Sequence, residues 1–236
     1  MRLHDPDAYR DAEELEIMAE VLPLRDRRVL ELGCGRAWMT RRMSELFQPR
    51  EIIATEVDRI QHEKNLQLDD LPNVRFVYGG AEAIDLEDAS VDVVLMLKSL
   101  HHVPRERMDD ALREIARVLR PGGLAYISEP VYHGPFNDIM RLFHDEKEVR
   151  ELAFAALQRA VADGTFELVD EIFFNAPGQF RDFDEFDRRM LQVTHTEHRI
   201  DPELYQRIRA AFERHMTDDG AHFLKPSRVD LLRKPA

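Results

Sequence analysis

Two periodicities take turns along the first 130 or so residues. Short apolar runs predict buried strands at "RRVLEL" (27–32), "EIIATEV" (51–57), "VRFVY" (74–78), "VDVVLML" (91–97) and "LAYISEPV" (124–131). Between them the apolar positions fall three or four apart, which predicts helices. In "DAEELEIMAEVLPL" (11–24) Leu15, Met18, Ala19 and Leu22 share a face, and Pro23 ends the segment. In "WMTRRMSELF" (38–47) Trp38, Met39, Met43, Leu46 and Phe47 suit a helix packed on a sheet. "DRIQHEKNLQL" (58–68) predicts another helix. In "RERMDDALREIARVL" (105–119) Met108, Ala111, Leu112, Ile115, Val118 and Leu119 follow the 3.6-residue period, and Pro121-Gly122-Gly123 stops it. Strands alternating with helices imply a doubly wound α/β fold with a mostly parallel sheet and right-handed crossovers. Ligands of such sheets sit beyond the carboxyl ends of the strands. The segments that matter most are therefore Gly33 to Ala37, Glu56 to Asp58, Gly79 to Glu82, Lys98 to His102, and Glu129 to His133.

The pattern changes after residue 131. "FNDIMRLFHDEKEVRELAFAALQRAVADG" (136–164) reads as helical, with Phe136, Ile139, Met140 and Phe143 on one face. "TFELVDEIFF" (165–174) predicts a sixth strand, and "HFLKPSRVDLL" (222–232) a seventh, placed at an edge or given a bulge by Pro226. Between these come two more helices, "DFDEFDRRML" and "DPELYQRIRAAFERHM", the latter capped by Asp201 with Pro202 at its first position. No Gly- or Ser-rich linker separates the parts. The expectation is one domain over 1–236, with a core at 25–130 and a helical cap contributed by 131–163 and 180–217.

Composition narrows the partners. A net charge of −13 repels phosphate backbones, so nucleic acid is disfavoured. "MRLHDPDAYRDAEELE" has neither the basic nor the apolar region of a secretion signal, and no apolar run is long enough to span a membrane. The single cysteine, Cys34, allows no internal disulfide and no cysteine-based zinc site. The expected location is the cytoplasm. The ten histidines show no HExxH-like spacing, so no metal is expected.

The stretch "VLELGCGRAWMT" (29–40) carries the sharpest chemistry. Glycine tolerates positive φ and lets backbone approach a ligand, and the following helix offers free N–H groups. Spacing separates the ligands. A dinucleotide loop needs a third glycine at position 38, where this chain has Trp38. No G-x-x-x-x-G-K-[ST] occurs, so a phosphate loop is excluded. The small residue is Ala37, one position early.

Four motifs in order, "VLELGCGRA", "IIATEVD", "GGAEAIDLEDASVDVVLMLKSLHHV" and "ALREIARVLRPGGLAYISEP", resemble the class I S-adenosylmethionine-dependent methyltransferases of small-molecule type, over about residues 25 to 130. The resemblance implies a seven-stranded, Rossmann-like sheet with helices on both faces. It implies S-adenosyl-L-methionine as cofactor and S-adenosyl-L-homocysteine as product. Glu31, Gly33, Gly35 and Ala37 match the loop that holds the methionine part. Glu56 matches the acid that accepts from the ribose hydroxyls, with Asp58 a nearby rival. Ala81 and Glu82 match the adenine segment. The family often has Asp where this chain has Gly80, a departure that leaves the usual adenine N6 contact open, with Glu82 a candidate to replace it. Lys98 and Ser99 lie close to the expected sulfonium.

Methyl transfer needs alignment and water exclusion, and a base only where the acceptor must lose a proton. Candidate catalytic groups at strand ends are His101, His102 and His133, beside Glu129 and Tyr132. His195 and His198 fall in the cap. Phe173, Phe174, Phe180, Phe183 and Phe186 are candidates to wall a substrate pocket. Cys34 reads as a small packing residue. The expected activity is methyl transfer to a small molecule by in-line displacement at the sulfonium methyl. Alternatives are a protein or tRNA methyltransferase, for which only "LRDRRV" approaches a basic surface, and a non-catalytic S-adenosylmethionine-binding regulator. A nicotinamide oxidoreductase is opposed by Trp38. The oligomeric state stays open, a homodimer included.

Overall fold

In a computed structural model of the chain, residues 1–192 and 199–236 are described. The seven long strands are β1 (Arg28–Leu32), β2 (Glu51–Glu56), β3 (Val74–Tyr78), β4 (Val91–Leu97), β5 (Leu119–Pro130), β6 (Glu167–Phe180) and β7 (Gly220–Arg233). They pair in the order β6-β7-β5-β4-β1-β2-β3. Every pairing among β1 to β5 is parallel, and β7 runs antiparallel to both β5 and β6. Two short strands complete the sheet. Arg10–Asp11 lies parallel to β6, and Met216–Thr217 pairs with β7.

The helices are α1 (Glu14–Val21), α2 (Trp38–Phe47), α3 (Arg59–Asn65), α4 (Met108–Val118), α5 (Pro135–Met140), α6 (Lys147–Ala162), α7 (Phe183–Phe186) and α8 (Pro202–Glu213). On one face of the sheet α1 and α2 bury Ile17, Met18 and Met43 against Val29, Ile52, Val93 and Leu95. On the other face α4 and α6 bury Leu112, Ile115, Ala153 and Leu157 against Leu30, Ile53, Val94 and Ile127. A strand covered on both faces must be apolar throughout, which is why β1, β2 and β4 read as continuous hydrophobic runs.

Local readings need correction in five places. In α1 the buried face is Ile17 and Met18 with Glu14, and Ala19 is exposed. Glu14 is buried because it accepts from the Tyr126 hydroxyl at 2.8 Å, which ties α1 to β5. Trp38 does not pack on the sheet. It is 62% exposed at the first turn of α2, and the buried residues there are Thr40 and Met43. The strand holding Pro226 is interior, between β5 and β6. The proline is accommodated because β5 pairing ends at Pro130 opposite Ser227. The Pro121-Gly122-Gly123 turn is an excursion within β5, since Leu119 pairs with Val91 and Leu124 with Val93. The expected cap segment 131–163 divides, because α6 belongs to the layer beside α4.

The remaining cap elements have a small core of their own. Ile139 of α5, Phe180, Phe183, Phe186, Ile208 and Phe212, with Ala221 and Phe223 of β7, form one buried cluster. It sits on the extensions of β6 and β7 that project past the other strands. Phe212, fully buried, stands edge-on or tilted to Phe180, Phe183, Phe186 and Phe223. Phe212→Ala should cost about 3–5 kcal/mol, read as a lower urea midpoint. An unchanged midpoint would show that this cluster lies outside the cooperative unit.

Candidate active site

The carboxyl ends of β1, β2 and β4 meet at the glycine loop. Gly33 and Gly35 have φ of 80° and 53°, and Ala37, capping α2, has φ of 57°. Gly33 is needed twice over. A Cβ there would lie 2.9 Å from Ser99 Cβ, in addition to the left-handed backbone. The Ser99 hydroxyl donates to Leu32 O at 2.9 Å, which brings the loop after β4 onto the end of β1.

Glu56 is the hub of this edge. Its Oε2 accepts from Gly35 N at 2.8 Å, and its Oε1 accepts from Val57 N at 2.8 Å and Asp58 N at 2.9 Å. Gly33 N and Cys34 N donate to Thr55 O. From the other side Asn65 of α3, almost fully buried, donates to Gly35 O at 2.8 Å and lies 3.4 Å from Cys34 Sγ. Burial pushes the Cys34 thiol up, so it stays protonated and packs as a small residue. Asp58, the rival acid, is occupied elsewhere: it caps α3 by accepting from Ile60 N and Gln61 N.

Glu31 is buried and accepts from the Thr40 hydroxyl at 2.6 Å, so it joins β1 to α2 from beneath the loop. Burial raises its carboxyl to about 7, with Thr40 opposing. At the adenine segment Ala81 is buried in the core beside α4, leaving its backbone as the available group. The Glu82 carboxylate folds over Gly80 and fills the space that a side chain at position 80 would take. Lys98 is exposed at the end of β4 with φ of 57°, and its N–H donates to Ser128 O at 2.7 Å.

The histidines separate. His101 is buried, and both ring nitrogens face carboxylates. Nδ1 is hydrogen-bonded to Glu129 Oε2, and Nε2 lies 3.5 Å from Glu146 Oε1. Burial alone would lower its imidazole, but Glu129 and Glu146 outweigh it and raise it to about 9. Burial would raise Glu146, yet His101 and Arg150 hold it far below the usual range. Glu129 also accepts from Leu100 N at 3.0 Å. The network thus clamps the loop after β4 to the end of β5 and the start of α6. It leaves His101 no nitrogen with which to take a proton from a substrate. His102 is exposed, and its ring is tilted by 43° to that of His101 with the centroids 4.1 Å apart. No metal set was expected from sequence, yet donor atoms of His101, His102 and Glu146 lie within 4.8 Å of one another. In this arrangement Glu146 is already paired with Arg150 at 2.6 Å.

His133 is exposed and lies 4.9 Å from His4, which shares a hydrogen bond with Tyr9. It therefore belongs to a cluster with the N-terminal segment. Tyr132 interacts with Asp145 and Arg141. The phenylalanines expected to wall a pocket are core: Phe180, Phe183 and Phe186 in the cap cluster, Phe174 under α1, and Phe173 against Tyr9. His195 and His198 lie outside the described residues. Asn65, Glu146 and Arg150 carried no signal in the sequence, because each sits in a polar stretch and becomes important only through distant partners.

Comparisons with known proteins agree with this geometry. Residues 29–123 match the family described as methyltransferase domain. The match covers about two fifths of the chain. The strand-end residues above belong to the matched region or its margin. An uncharacterized methyltransferase of Mycobacterium tuberculosis is 41% identical over 103 residues, covering 44% of this chain and 40% of that protein. The 27-O-demethylrifamycin SV methyltransferase of Amycolatopsis mediterranei is 38% identical over 111 residues, 45% of this chain and 40% of that protein. The matched stretch thus spans about two fifths of these relatives' length. The fold extends further. The YcgJ protein of Bacillus subtilis superposes with a TM-score of 0.66 at 21% identity, over 94% of this chain and 98% of that one. Among the described residues no helix is long and apolar enough to cross a membrane.

The His101 clamp has a pH signature. An imidazole raised to about 9 in the folded state contributes stability that is complete below its unfolded value and lost as pH rises through 9. His101→Gln should therefore cost about 3 kcal/mol at pH 6 and much less at pH 9.5, measured by urea unfolding at both. An equal cost at the two pH values would refute the charged clamp.

Proposed function

We propose that this chain transfers the methyl group of S-adenosylmethionine to a small-molecule acceptor. The observation that carries the proposal is the glycine loop, held by Glu56, Asn65 and Thr55 in a left-handed backbone conformation that glycine favours. When bound, S-adenosylmethionine supplies an activated methyl group on a sulfonium, whose loss leaves S-adenosylhomocysteine.

The chain's residues do the rest. The backbone of Gly33 to Gly35 receives the methionine part. An ionised carboxylate has about four acceptor positions. Three of those on Glu56 are taken by backbone N–H groups, so one stays open to a ribose hydroxyl unless the Gly35 contact yields. Glu82, lying over Gly80, is placed to accept from the adenine amino group in place of an aspartate, with the Ala81 N–H beside it. Glu31 and His101 act as positioning residues, holding α2 and the loop after β4. His102 and His133 are exposed groups beside these strand ends, and either could take the proton of an acceptor that has to lose one. The acidic charge of the chain, −13, favours a metabolite over nucleic acid, and a relative named for its action on demethylrifamycin points the same way.

Titration calorimetry and thermal unfolding test the assignment. S-adenosylhomocysteine at about 100 times its dissociation constant should add roughly 2.7 kcal/mol, and NAD should add nothing. A response to NAD alone would overturn the proposal. Glu56→Ala should weaken S-adenosylhomocysteine more than Asp58→Ala does. Glu82→Ala should weaken it by about tenfold, as expected for a lost hydrogen bond to a charged group, and should abolish discrimination against the inosine analogue. Full discrimination in Glu82→Ala would assign the adenine contact elsewhere.

A further inference from the structure

Lys225 takes no part in the glycine-loop edge or the His101 clamp described above. It lies on β7, and its side chain runs flat over Gly178 of β6. A Cβ at position 178 would stand 2.7 Å from Lys225 Cε and 2.8 Å from Nζ. The ammonium ends 5.6 Å from the centre of the Phe136 ring of α5. Phe136 stacks on Phe180 at 6.0 Å, and the Arg189 guanidinium covers Phe180 at 4.6 Å. Two cations thus flank one aromatic pair at the base of the cap.

Their surroundings are cationic. Burial, and then the charges of Lys98 and Arg189, pull the Lys225 ammonium down to about 8, with Glu13 acting weakly in the opposite sense. Arg189 has Glu185 as its partner at 3.2 Å. Among the described residues no carboxylate lies within ion-pair distance of Lys225 or Lys98. In a chain with 46 acidic residues that is informative. Arg28, Arg41, Arg117 and Arg150 all have carboxylate partners. A half-buried ammonium beside other cations is unfavourable by itself, and an anion supplied from outside relieves it. Lys98 stands at the end of β4, where the resemblance to methyltransferases puts the sulfonium, so such an anion would lie next to the methyl donor.

We propose that Lys225, assisted by Lys98, binds the anionic end of the methyl acceptor, and that this acceptor is an organic acid whose apolar body lies against Phe136. The inference rests on the methyltransferase reading and specifies its substrate class. Octanoate and octanamide are suitable probes, because they share an apolar body and differ in charge. With the protein saturated in S-adenosylhomocysteine, octanoate should bind at least tenfold more tightly than octanamide by calorimetry. Lys225→Met should remove that preference and Lys225→Arg should keep it. Gly178→Ala retains every charge but displaces the ammonium, so it should weaken octanoate even if Lys225→Met fails to fold. Equal binding of the two probes, or a preference undiminished in Lys225→Met or Gly178→Ala, would overturn the inference. S-adenosylhomocysteine binding to the wild type is read first. Its absence overturns the methyltransferase reading, and its presence without a preference for the acid overturns this inference alone.

Discussion

Glu56 holds the ligand edge of the sheet together. One carboxylate at the end of β2 accepts from the glycine loop after β1 and from its own following residues. Parallel strands leave their carboxyl ends as unpaired chain that has to turn, so something must fix those turns relative to each other. Here a buried acid does it for two strands, and Asn65 holds the same loop from the opposite side. A loop fixed before ligand arrives loses little conformational freedom on binding. The acid that shapes the cradle is also the one expected to read the ribose, which ties the architecture of the edge to its chemistry.

A second clamp works in the same way at the carboxyl ends of β4 and β5. Glu129, His101, Glu146 and Arg150 form a chain of alternating charge from β5 through the loop after β4 to α6. Each member is buried or nearly so, and each is satisfied by a neighbour of opposite sign, the arrangement in which buried charge is tolerated. Its consequence is positional. The segment carrying Lys98 and Ser99 is held over the end of β1, and α6 is drawn into the sheet-covering layer rather than the cap.

The cap has its own aromatic core and stands on the projecting ends of β6 and β7. Under the proposed function, this division places a constant donor on one part of the fold and a variable acceptor on another. The donor edge is built from backbone geometry and buried acids. The cap side is built from phenylalanines with Lys225 beside them, and it falls outside residues 29–123, the part matched by the methyltransferase family.

What was legible in the sequence was what local chemistry dictates. The apolar runs marked the strands because parallel strands are covered on both faces. The spacing of Gly33, Gly35 and Ala37, with Trp38 where a dinucleotide loop needs glycine, pointed to a methyl donor because φ and bulk are properties of single residues. Asp201 and Pro202 marked the start of α8 for the same reason, and the structure bears this out. The tertiary structure alone decided which polar groups meet. His101 read as a catalytic candidate and proved to be enclosed by Glu129 and Glu146, 28 residues away in the first case. Trp38 read as core and is exposed, and the cap segment split because α6 found its partner in α4. Lys225 carried no signal beside Pro226, yet the pairing of β6 with β7 lays it over Gly178 and below Phe136. Charge and burial are sums over neighbours in space, and those neighbours are set only when distant strands come into register.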